Sequence, residues 1–406
     1  MTLRHVIPVA GRFGAPDRRS FCPEGNCGVG FESQEVGLDI AIVGSGTIGL
    51  TYGWLLSECH GVTHVVRPER SGWYREPFIL RVTDRRKAAD RRKAIGRREF
   101  KGVEAGERQV SAEGEFPYLP RIASDPEEVR CDVVLVTTDR RRLASSLETV
   151  RALAGSGHVV FMLNHWDLPS QADGVLKPEQ YSLGFPGQVG GGRDGRRIEA
   201  TVFPRGTVLE AGDDSRARRL REAFEAAGLH VKAQKDMAGW LKLHGLQQSM
   251  TVGPILRAGG LDGLLGDREE MKKAVLALRE GVSTARADGA NPRGSMLGRL
   301  TAIPAPLSAA LLRRLLGRAD VRTMVERHMR HGIEEWMAGY WDVVDAARRH
   351  GAPIPHVLEY EPTIAAFARG GSFAERRAGQ RPGANLVTSH LSRSCSRLVV
   401  CDVSCT

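Results

Sequence analysis

The most constraining feature of the sequence is an apolar run that ends directly at a glycine-rich turn. Residues Leu38–Val43 read LDIAIV, and GSGTIG follows without a gap. Continuous apolar runs are typical of strands buried on both faces of a parallel sheet. A helical pattern over Leu50–Cys59 and a second apolar run over Val62–Val66 complete a unit of strand, helix and strand. The sequence therefore predicts a Rossmann-like sheet that begins at this turn.

The glycine-rich turn has the spacing G-x-G-x-x-G, and each glycine has a physical reason. The first permits a tight turn, the second lets the backbone approach a pyrophosphate, and the third lets the helix pack closely on the sheet. The N-terminus of the following helix offers free N–H groups to phosphates. We therefore expect a dinucleotide bound by Gly44, Ser45, Gly46, Thr47, Ile48 and Gly49. The alternative is a glycine turn in a Rossmann-like fold that has no ligand.

The end of the second predicted strand indicates which dinucleotide fits. An acidic residue at this point binds the ribose 2′-hydroxyl of NAD, but this chain has Arg67. A guanidinium pairs with a 2′-phosphate and stacks on adenine. Arg67 therefore favours NADP(H) over NAD(H), and the alternative is an exposed arginine at a strand end.

The rest of the chain divides by pattern into an α/β part and a helical part. Further strands are predicted at Asp132–Val136, His158–Met162, Tyr181–Phe185, Ile198–Phe203 and Thr207–Leu209, with helices at Arg140–Leu153 and Ser215–Ala227. Later helices are predicted at Asp236–Leu256, Arg268–Ala287, Pro306–Leu316 and Val321–His350, the last of which is ended by Gly351. The predicted fold class is α/β, with an N-terminal Rossmann-like, doubly wound parallel sheet over residues 38–233 and an all-helical C-terminal domain over residues 234–370. Residues 1–37 and 371–406 are predicted to be flexible extensions.

Composition narrows the classes of protein that remain. The 406 residues allow two hydrophobic cores, and the net charge of +10 comes from 58 basic and 48 acidic residues. No stretch approaches the roughly 20 apolar residues of a membrane helix, and the first residues lack the apolar core of a secretory signal. We therefore expect a cytoplasmic protein without a membrane partner.

Seven cysteines are present, which is an odd number. Cys22 and Cys27 have the spacing of half a zinc site, but no convincing second pair follows them. We expect free thiols in a reducing compartment and no bound metal.

The segment Arg81–Lys101 contains the sequence DRRKA twice, starting at Asp84 and at Asp90. Basic segments bind nucleic acid through phosphates, but no aromatic residue interleaves with the cations of the repeat to stack on bases. A solvated loop or helix face is the favoured interpretation, and nucleic acid is not the expected partner.

Two features fall near the carboxyl edge of the predicted sheet, where Rossmann-like folds bind ligands. Asn164 follows a predicted strand and could bind the nicotinamide ribose or the substrate, or could simply form a turn. Glycines at 184 and 187, followed by Gly190-Gly191-Gly192, predict a tight turn near the same crevice.

Lys242 lies in the segment Trp240-Leu241-Lys242, which opens the helical part. A lysine held where two domains meet could polarise a carbonyl or act as a general acid. For a lone helical lysine, a solvated helix face is the favoured alternative.

Together these residues resemble the ketopantoate reductase (2-dehydropantoate 2-reductase) family over roughly residues 38–360. GSGTIG resembles the nucleotide loop of the family, Arg67 its arginine after the second strand, and Asn164 its asparagine after a central strand. Trp240-Leu241-Lys242 resembles the W-x-K element, and Gly339 with Tyr340 resembles the end of a C-terminal helical motif. The resemblance implies a Rossmann domain, a helical second domain and NADPH as cofactor.

The resemblance also implies roles for individual residues. Lys242 would be the general acid, which polarises the substrate ketone and protonates the alkoxide as hydride arrives from NADPH. The acidic residue of the family aligns with Ile333, so Glu334 and Glu335 are the acidic candidates here.

The chain departs from the family at several other positions. Leu246 and Met250 stand where the family has asparagines, and Asp139 stands where the family has a phosphate-binding lysine, followed by Arg140 and Arg141. These departures favour a substrate other than ketopantoate, such as a different 2-keto acid or ketone.

The predicted function is therefore an NADPH-dependent reductase of a 2-keto acid or related ketone. A non-catalytic NADP(H)-binding redox sensor is the alternative, because the family asparagines are missing. A helical second domain often mediates dimers, so a homodimer is one candidate assembly.

Overall fold

The computed structural model describes residues 37–86 and 114–370. The two predicted extensions lie outside the described residues, apart from Gly37. Residues 87–113 lie outside them as well, and these include most of the basic segment Arg81–Lys101. The same holds for Cys22 and Cys27. None of the helices in the described part is long and apolar enough to cross a membrane.

Eight strands form the main sheet. They are β1 Asp39–Val43, β2 Gly61–Val65, β5 Ile122–Ala123, β6 Val133–Val136, β7 His158–Met162, β8 Tyr181–Phe185, β11 Thr207–Glu210 and β12 Val231–Gln234. Their order is β12-β11-β8-β7-β6-β1-β2-β5. The strands from β8 to β5 are parallel, whereas β11 runs antiparallel to β8 and β12 follows β11. The doubly wound parallel sheet is confirmed, with two reversed strands added at one edge.

A second sheet of four strands was not predicted. It contains β3 Phe78–Asp84, β4 Gly114–Tyr118, β9 Val189–Asp194 and β10 Arg197–Val202, in the order β4-β3-β10-β9. The predicted tight turn is present directly after β8, at Pro186–Gln188, but Gly190-Gly191-Gly192 lie beyond it, inside β9, and pair in register with β10. Backbone pairing needs no side chain, and a Cβ on Gly191 would overlap the carbonyl of Glu199. The glycines therefore allow a close approach between two strands.

Four helices accompany the strands. They are α1 Thr47–Leu56, α2 Leu143–Leu153, α3 Leu168–Asp173 and α4 Ser215–Ala226. The first begins three residues before its predicted start, because Gly46 already serves as its N-cap. Its side chains are mostly buried, and they join β1, β2 and the strands of the second sheet in one apolar cluster. The glycine-rich turn is therefore anchored between two sheets.

From Met237 to residue 370, where the described part ends, all elements are helices. They are α5 Met237–Arg257, α6 Leu261–Gly266, α7 Arg268–Ala287, α8 Met296–Ala302, α9 Ala305–Leu316, α10 Ala319–His331, α11 Ile333–His350, α12 Pro355–Leu358 and α13 Glu361–Ala368. The single helix predicted over Val321–His350 was wrong, since Gly332 has non-helical backbone angles and separates α10 from α11. Glycine is the weakest helix former after proline. The helix end predicted at Gly351 is confirmed, with φ at +61°.

The core of the helical part is built by three long helices. Val252 of α5, Val275 of α7 and Val343 of α11 are fully buried in one cluster. Trp166, which follows β7, is buried in the same cluster, so the helical part packs directly on the carboxyl edge of the main sheet. The predicted combination of a Rossmann-like sheet and an all-helical C-terminal region is confirmed.

Candidate active site

The glycine-rich turn is tightly packed on the inside and open on the outside. Gly44 has φ at +111°, and a Cβ there would come within 2.7 Å of the Thr137 backbone. A Cβ on Gly49 would overlap the carbonyl of Gly44. A Cβ on Gly46, by contrast, would meet nothing within 4 Å. Two glycines are thus required by the fold, and the third leaves free space at the turn.

The free space lies at the N-terminus of α1. Thr47 and Ile48 begin this helix, which has no side-chain cap and no acidic residue in its first turn. Its unpaired N–H groups and the positive end of its dipole therefore face the opening. The arrangement fits a pyrophosphate, because phosphates bind at such helix ends when the backbone is accessible.

The turn is fixed by side chains from three other strands. Thr137, after β6, donates a hydrogen bond from Oγ1 to the Gly44 carbonyl at 2.7 Å. Arg193 of β9 donates from Nη1 to the Ser45 carbonyl at 2.8 Å. The Ser45 hydroxyl lies 3.5 Å from Nδ1 of His64 in β2.

Arg67 follows β2, as predicted, and it precedes a short 3-10 turn at Pro68–Tyr74. Its side chain is exposed, and Nε lies 3.4 Å from the Glu69 carboxylate. An exposed pair of this kind is weak and exchanges readily for a stronger anion. The structure thus places Arg67 just past the end of β2, where the sequence predicted it.

Asn164 lies two residues after β7, at the same edge of the sheet as the glycine-rich turn. It faces a narrow cleft between this edge and the helical part. The cleft is lined by Arg140, Asn164, Trp166, Leu241, Gly245, Gln248, Ser249, Glu335, Trp336, Gly339 and Asp342. A Cβ on Gly245 would lie 3.3 Å from the Asn164 amide nitrogen, so α5 comes close to Asn164 only because residue 245 has no side chain.

Lys242 lies one helical turn before Gly245 on α5. Its side chain is only 13% exposed and Nζ is 5.9 Å from the centre of the Trp166 ring, which lines the cleft. Nζ donates to the backbone carbonyl of Asp288 at 2.7 Å and lies 2.8 Å from its carboxylate. Lys242 is therefore not on a solvated helix face but is ion-paired beside the cleft.

Asp288 is the C-cap of α7 and binds several groups at once. The indole N–H of Trp166 donates to its carboxylate at 2.7 Å, and His350 Nε2 lies 2.6 Å from the other oxygen. Burial alone would raise the pKa of Asp288, but the hydrogen bonds from Lys242, His350 and Trp166 outweigh it and lower the pKa. The ion pair with Lys242 is thus maintained at neutral pH.

The two acidic candidates on α11 have different surroundings. The Glu334 side chain is 64% exposed and pairs with Arg141. Glu335 lines the cleft, and its pKa is raised because it is buried and lies near Asp139, while Arg140 and Arg141 oppose the shift. Of the two, only Glu335 shares the cleft with Asn164.

Arg140 enters the cleft from the segment after β6. Its side chain is 10% exposed, and Nη2 lies 2.6 Å from the carboxylate of Asp342 on α11. Burial raises the pKa of Asp342, and Arg140 counters that effect. This ion pair joins the sheet edge to the helical part and places a cation in the cleft.

The positions of the missing family asparagines are part of the hydrophobic core. Leu246 and Met250 are buried in the cluster of the helical part, and Ile333 packs against it. Gln248 and Ser249, on neighbouring positions of α5, line the cleft instead, whereas Gln247 is exposed. The polar side chains that α5 presents to the cleft are therefore those of Gln248 and Ser249.

Sequence reasoning missed Asp288 and Arg193 and gave no role to Arg140. Asp288 is 46 residues from Lys242 and Arg193 is 148 residues from Ser45, so no local spacing relates them. Arg140 was noted only as one of the arginines that follow Asp139. In the described ranges, no group of three or more His, Cys, Asp or Glu side chains is placed to hold a metal ion.

The fold and the cleft define a Rossmann-like α/β sheet followed by a helical bundle, with a candidate site where the two meet. Residues 40–196 match the family model described as ketopantoate reductase PanE/ApbA. Over these residues the match supports the resemblance seen in the sequence.

Solved structures share this fold at low sequence identity. 2-Dehydropantoate 2-reductase from Geobacter metallireducens GS-15 is 17% identical with a TM-score of 0.57, covering 81% of this chain and 100% of that one. D-mandelate dehydrogenase with NADH and anilino(oxo)acetate is 12% identical with a TM-score of 0.56, covering 81% and 97%. Dimeric ketopantoate reductase from Staphylococcus aureus is 13% identical with a TM-score of 0.54, covering 82% and 99%. A comparison with curated proteins finds no match.

Proposed function

We propose that this protein is an NADPH-dependent reductase of a 2-keto acid or related ketone. The observation that carries the proposal is that α5 bears Lys242 one helical turn before Gly245, which faces the Asn164 amide at the sheet edge that also bears the glycine-rich turn. Residues 38–233 would then be the cofactor domain and residues 234–370 the helical domain that closes the site.

The chain fits a bound dinucleotide. Free space at Gly46 beside the unpaired N–H groups of α1 would hold the pyrophosphate, and Arg67 would pair with a 2′-phosphate. Asn164 would orient the nicotinamide ribose at the carboxyl edge of the sheet. A bound NADPH supplies the hydride, and the residues of this chain supply position and charge. The mandelate dehydrogenase neighbour was solved with NADH, which supports a nicotinamide cofactor.

Lys242 would act as the general acid. Its ammonium is held as a cation beside the cleft by Asp288. In the proposed reaction this ammonium donates a proton to the ketone oxygen as hydride reaches the carbonyl carbon, and it regains a proton from solvent afterwards. The side chain must exchange its Asp288 contact for the substrate oxygen, which is feasible because lysine has a flexible stem.

Arg140 and Glu335 would position the substrate. A buried guanidinium such as Arg140 binds a carboxylate strongly, which favours a keto acid over a simple ketone. Glu335, whose pKa is raised, would accept or donate a hydrogen bond to the substrate within the cleft. Glu334 is exposed and would contribute less.

The test is a steady-state assay of NADPH oxidation with a panel of 2-keto acids that includes ketopantoate, using the wild type and Lys242→Ala. We expect turnover with at least one keto acid and its loss in the variant, by a factor of about 100 or more, in line with general acid catalysis. Lys272→Ala is the matched control, because Lys272 is an exposed lysine paired only with Glu269 on α7. Turnover that survives in Lys242→Ala would exclude the proposed acid.

A non-catalytic NADP(H) sensor is the second candidate. The observations that favour it are the apolar residues Leu246 and Met250 at the asparagine positions and the engagement of Lys242 by Asp288. NADPH binding without oxidation across the whole panel would select this candidate.

A homodimer and a cytoplasmic location belong to the proposal as well. The dimer is supported by the Staphylococcus aureus neighbour, which is described as dimeric. Light scattering coupled to size-exclusion chromatography tests it, and a monomer at micromolar concentration would contradict it.

A further inference from the structure

Arg193 reaches the glycine-rich turn from the second sheet. In the antiparallel pair of β9 and β10, Arg193 is opposite Ile198, which is fully buried. Opposed residues of such a pair lie on the same face, so Arg193 is on the inner face that packs on α1. From there Nη1 donates to the Ser45 carbonyl at 2.8 Å. Arg197 is opposite Asp194 and lies on the outer, exposed face.

The guanidinium of Arg193 is half-buried between aromatic rings. Its central carbon is 5.1 Å from the centre of the Phe78 ring and 6.0 Å from that of Trp73, while Nε donates to the Gly195 carbonyl at 2.8 Å. Arg196 lies near the same two rings, with its central carbon 4.8 Å from the centre of Trp73 and 5.5 Å from that of Phe78. The rings hold the guanidinium in one orientation. Its side chain therefore loses less conformational entropy when it binds an anion.

Positive charge is concentrated around Arg193. Its pKa is lowered, because it is partly buried and because Arg70 and Arg196 lie nearby. Among the described residues, Arg193 has hydrogen bonds to carbonyl groups but no carboxylate as an ion-pair partner. A half-buried cation near other cations, without a carboxylate, is a favourable place for an anionic ligand. A guanidinium has five N–H donors, so its contacts with two carbonyl groups and with the Tyr74 hydroxyl leave capacity for a phosphate.

The location of Arg193 indicates which phosphate it would meet. Ser45, whose carbonyl it contacts, lies beside His64 of β2. Trp73 and Arg70, which lie near Arg193, belong to the 3-10 turn that follows β2. Arg193 therefore lies beside the end of β2, where Rossmann-like folds place the adenosine ribose. Arg67 follows the same strand.

We propose that Arg193 is a second recognition residue for the 2′-phosphate of NADP(H), supplied by the second sheet and acting together with Arg67. This inference rests on the proposed cofactor role of the glycine-rich turn. It assigns a function to the β9–β10 hairpin, which delivers a cation to the adenosine end of the site. The competing explanation is that Arg193 only ties the hairpin to Ser45.

The experiment measures the dissociation constants of NADPH and NADH by calorimetry for the wild type, Arg193→Met, Arg193→Lys and Arg197→Met. We expect Arg193→Met to weaken NADPH binding by about 10- to 100-fold, the range of a charged hydrogen bond, and to leave NADH binding nearly unchanged. Arg193→Lys keeps the charge but not the paired donors, so we expect an intermediate loss. Arg197→Met, which removes an equal charge from the outer face of the same hairpin, should behave as the wild type.

Each other outcome overturns the proposal. Unchanged NADPH binding in Arg193→Met would show that the residue does not touch the phosphate. An equal loss for NADPH and NADH, with or without a lower melting temperature, would assign Arg193 to the support of Ser45 alone. A wild type that binds neither dinucleotide would contradict the proposed cofactor itself, which distinguishes that failure from an error about Arg193.

Discussion

The ammonium of Lys242 lies 2.8 Å from a carboxylate oxygen of Asp288, and both side chains are only 13% exposed. The same carboxylate accepts the indole N–H of Trp166, whose ring lines the cleft. Asp288 thus links the proposed acid, the wall of the cleft and the end of α7. The relationship has consequences for stability as well as for catalysis.

The first prediction concerns Asp288→Ala. Loss of the carboxylate leaves Lys242 as a buried cation and Trp166 without an acceptor, so we expect the free energy of unfolding to fall by about 3–5 kcal/mol. Urea denaturation measures the change. Asp345→Ala is the matched control, since the exposed pair of Asp345 with Arg348 should contribute no more than about 1 kcal/mol. Equal losses in the two variants would mean that the Asp288 contacts do not stabilise the fold.

A second prediction separates two glycines of the same turn. A Cβ on Gly46 meets nothing in this structure and its φ is −83°, so Gly46→Ala should fold normally but obstruct the pyrophosphate. A Cβ on Gly49 overlaps the Gly44 carbonyl, so Gly49→Ala should lose both stability and cofactor binding. Thermal melting measures the loss of stability, and NADPH titration measures the loss of cofactor binding. A Gly46→Ala protein that binds NADPH as tightly as the wild type would contradict the assignment of this space to the cofactor.

The third prediction distinguishes the two glutamates of α11. Glu335→Gln should lower kcat/KM by about 10-fold or more, because a group in the cleft that contacts substrate loses a charge-assisted hydrogen bond. Glu334→Gln should change kcat/KM little, since Glu334 is exposed and bound to Arg141. A larger loss of kcat/KM in Glu334→Gln than in Glu335→Gln would mean that Glu334, and not Glu335, contacts the substrate.

Local features of the fold could be predicted from the sequence. The bounds of α7, Arg268–Ala287, agree with the prediction, because Asp267 caps its first turn and the apolar positions recur with a helical period. The unit from β1 to β2 was predicted for the same reason, since its parts are adjacent in the chain. The second sheet was not, because β3 pairs with β10 across more than a hundred residues, as in Leu80 with Ile198.

The candidate site was predicted in outline but not in its partners. Asn164 and Lys242 were found because each follows or opens a recognisable element, and the structure brings their elements into contact through Gly245. The contact of Lys242 with Asp288 depends on how α5 packs on α7, which no spacing along the chain encodes. The assigned roles of these residues stay predictions until activity is measured.

The fourth prediction follows from the buried His64, whose Nε2 lies 3.1 Å from the Tyr118 hydroxyl. Burial lowers the pKa of His64 from 6.5 to about 3. Between these values the unfolded chain binds a proton that the folded protein excludes, so stability falls as the pH decreases through this window, by up to about 1.4 kcal/mol per pH unit for this group. His158 and His165, with pKa values lowered by burial to about 4, act in the same direction.

Urea denaturation between pH 7 and pH 4 measures this dependence. His64→Gln should show a smaller loss of stability across the window than the wild type, whatever its stability at neutral pH. An identical pH dependence in the two proteins would mean that His64 is protonated in the folded state.

The most direct measurement of the central claim is the transfer of deuterium to the product of a 2-keto acid from NADPH that carries deuterium at both C4 positions of the nicotinamide, followed by mass spectrometry. The account predicts one deuterium at the carbinol carbon with the wild type and with Lys272→Ala, and labelled product that forms more slowly by a factor of about 100 or more with Lys242→Ala. Labelled product from Lys242→Ala at the wild-type rate would contradict the role of Lys242. The absence of label from the wild type, across keto acids and with NADPH bound, would contradict the assignment of this protein as a reductase.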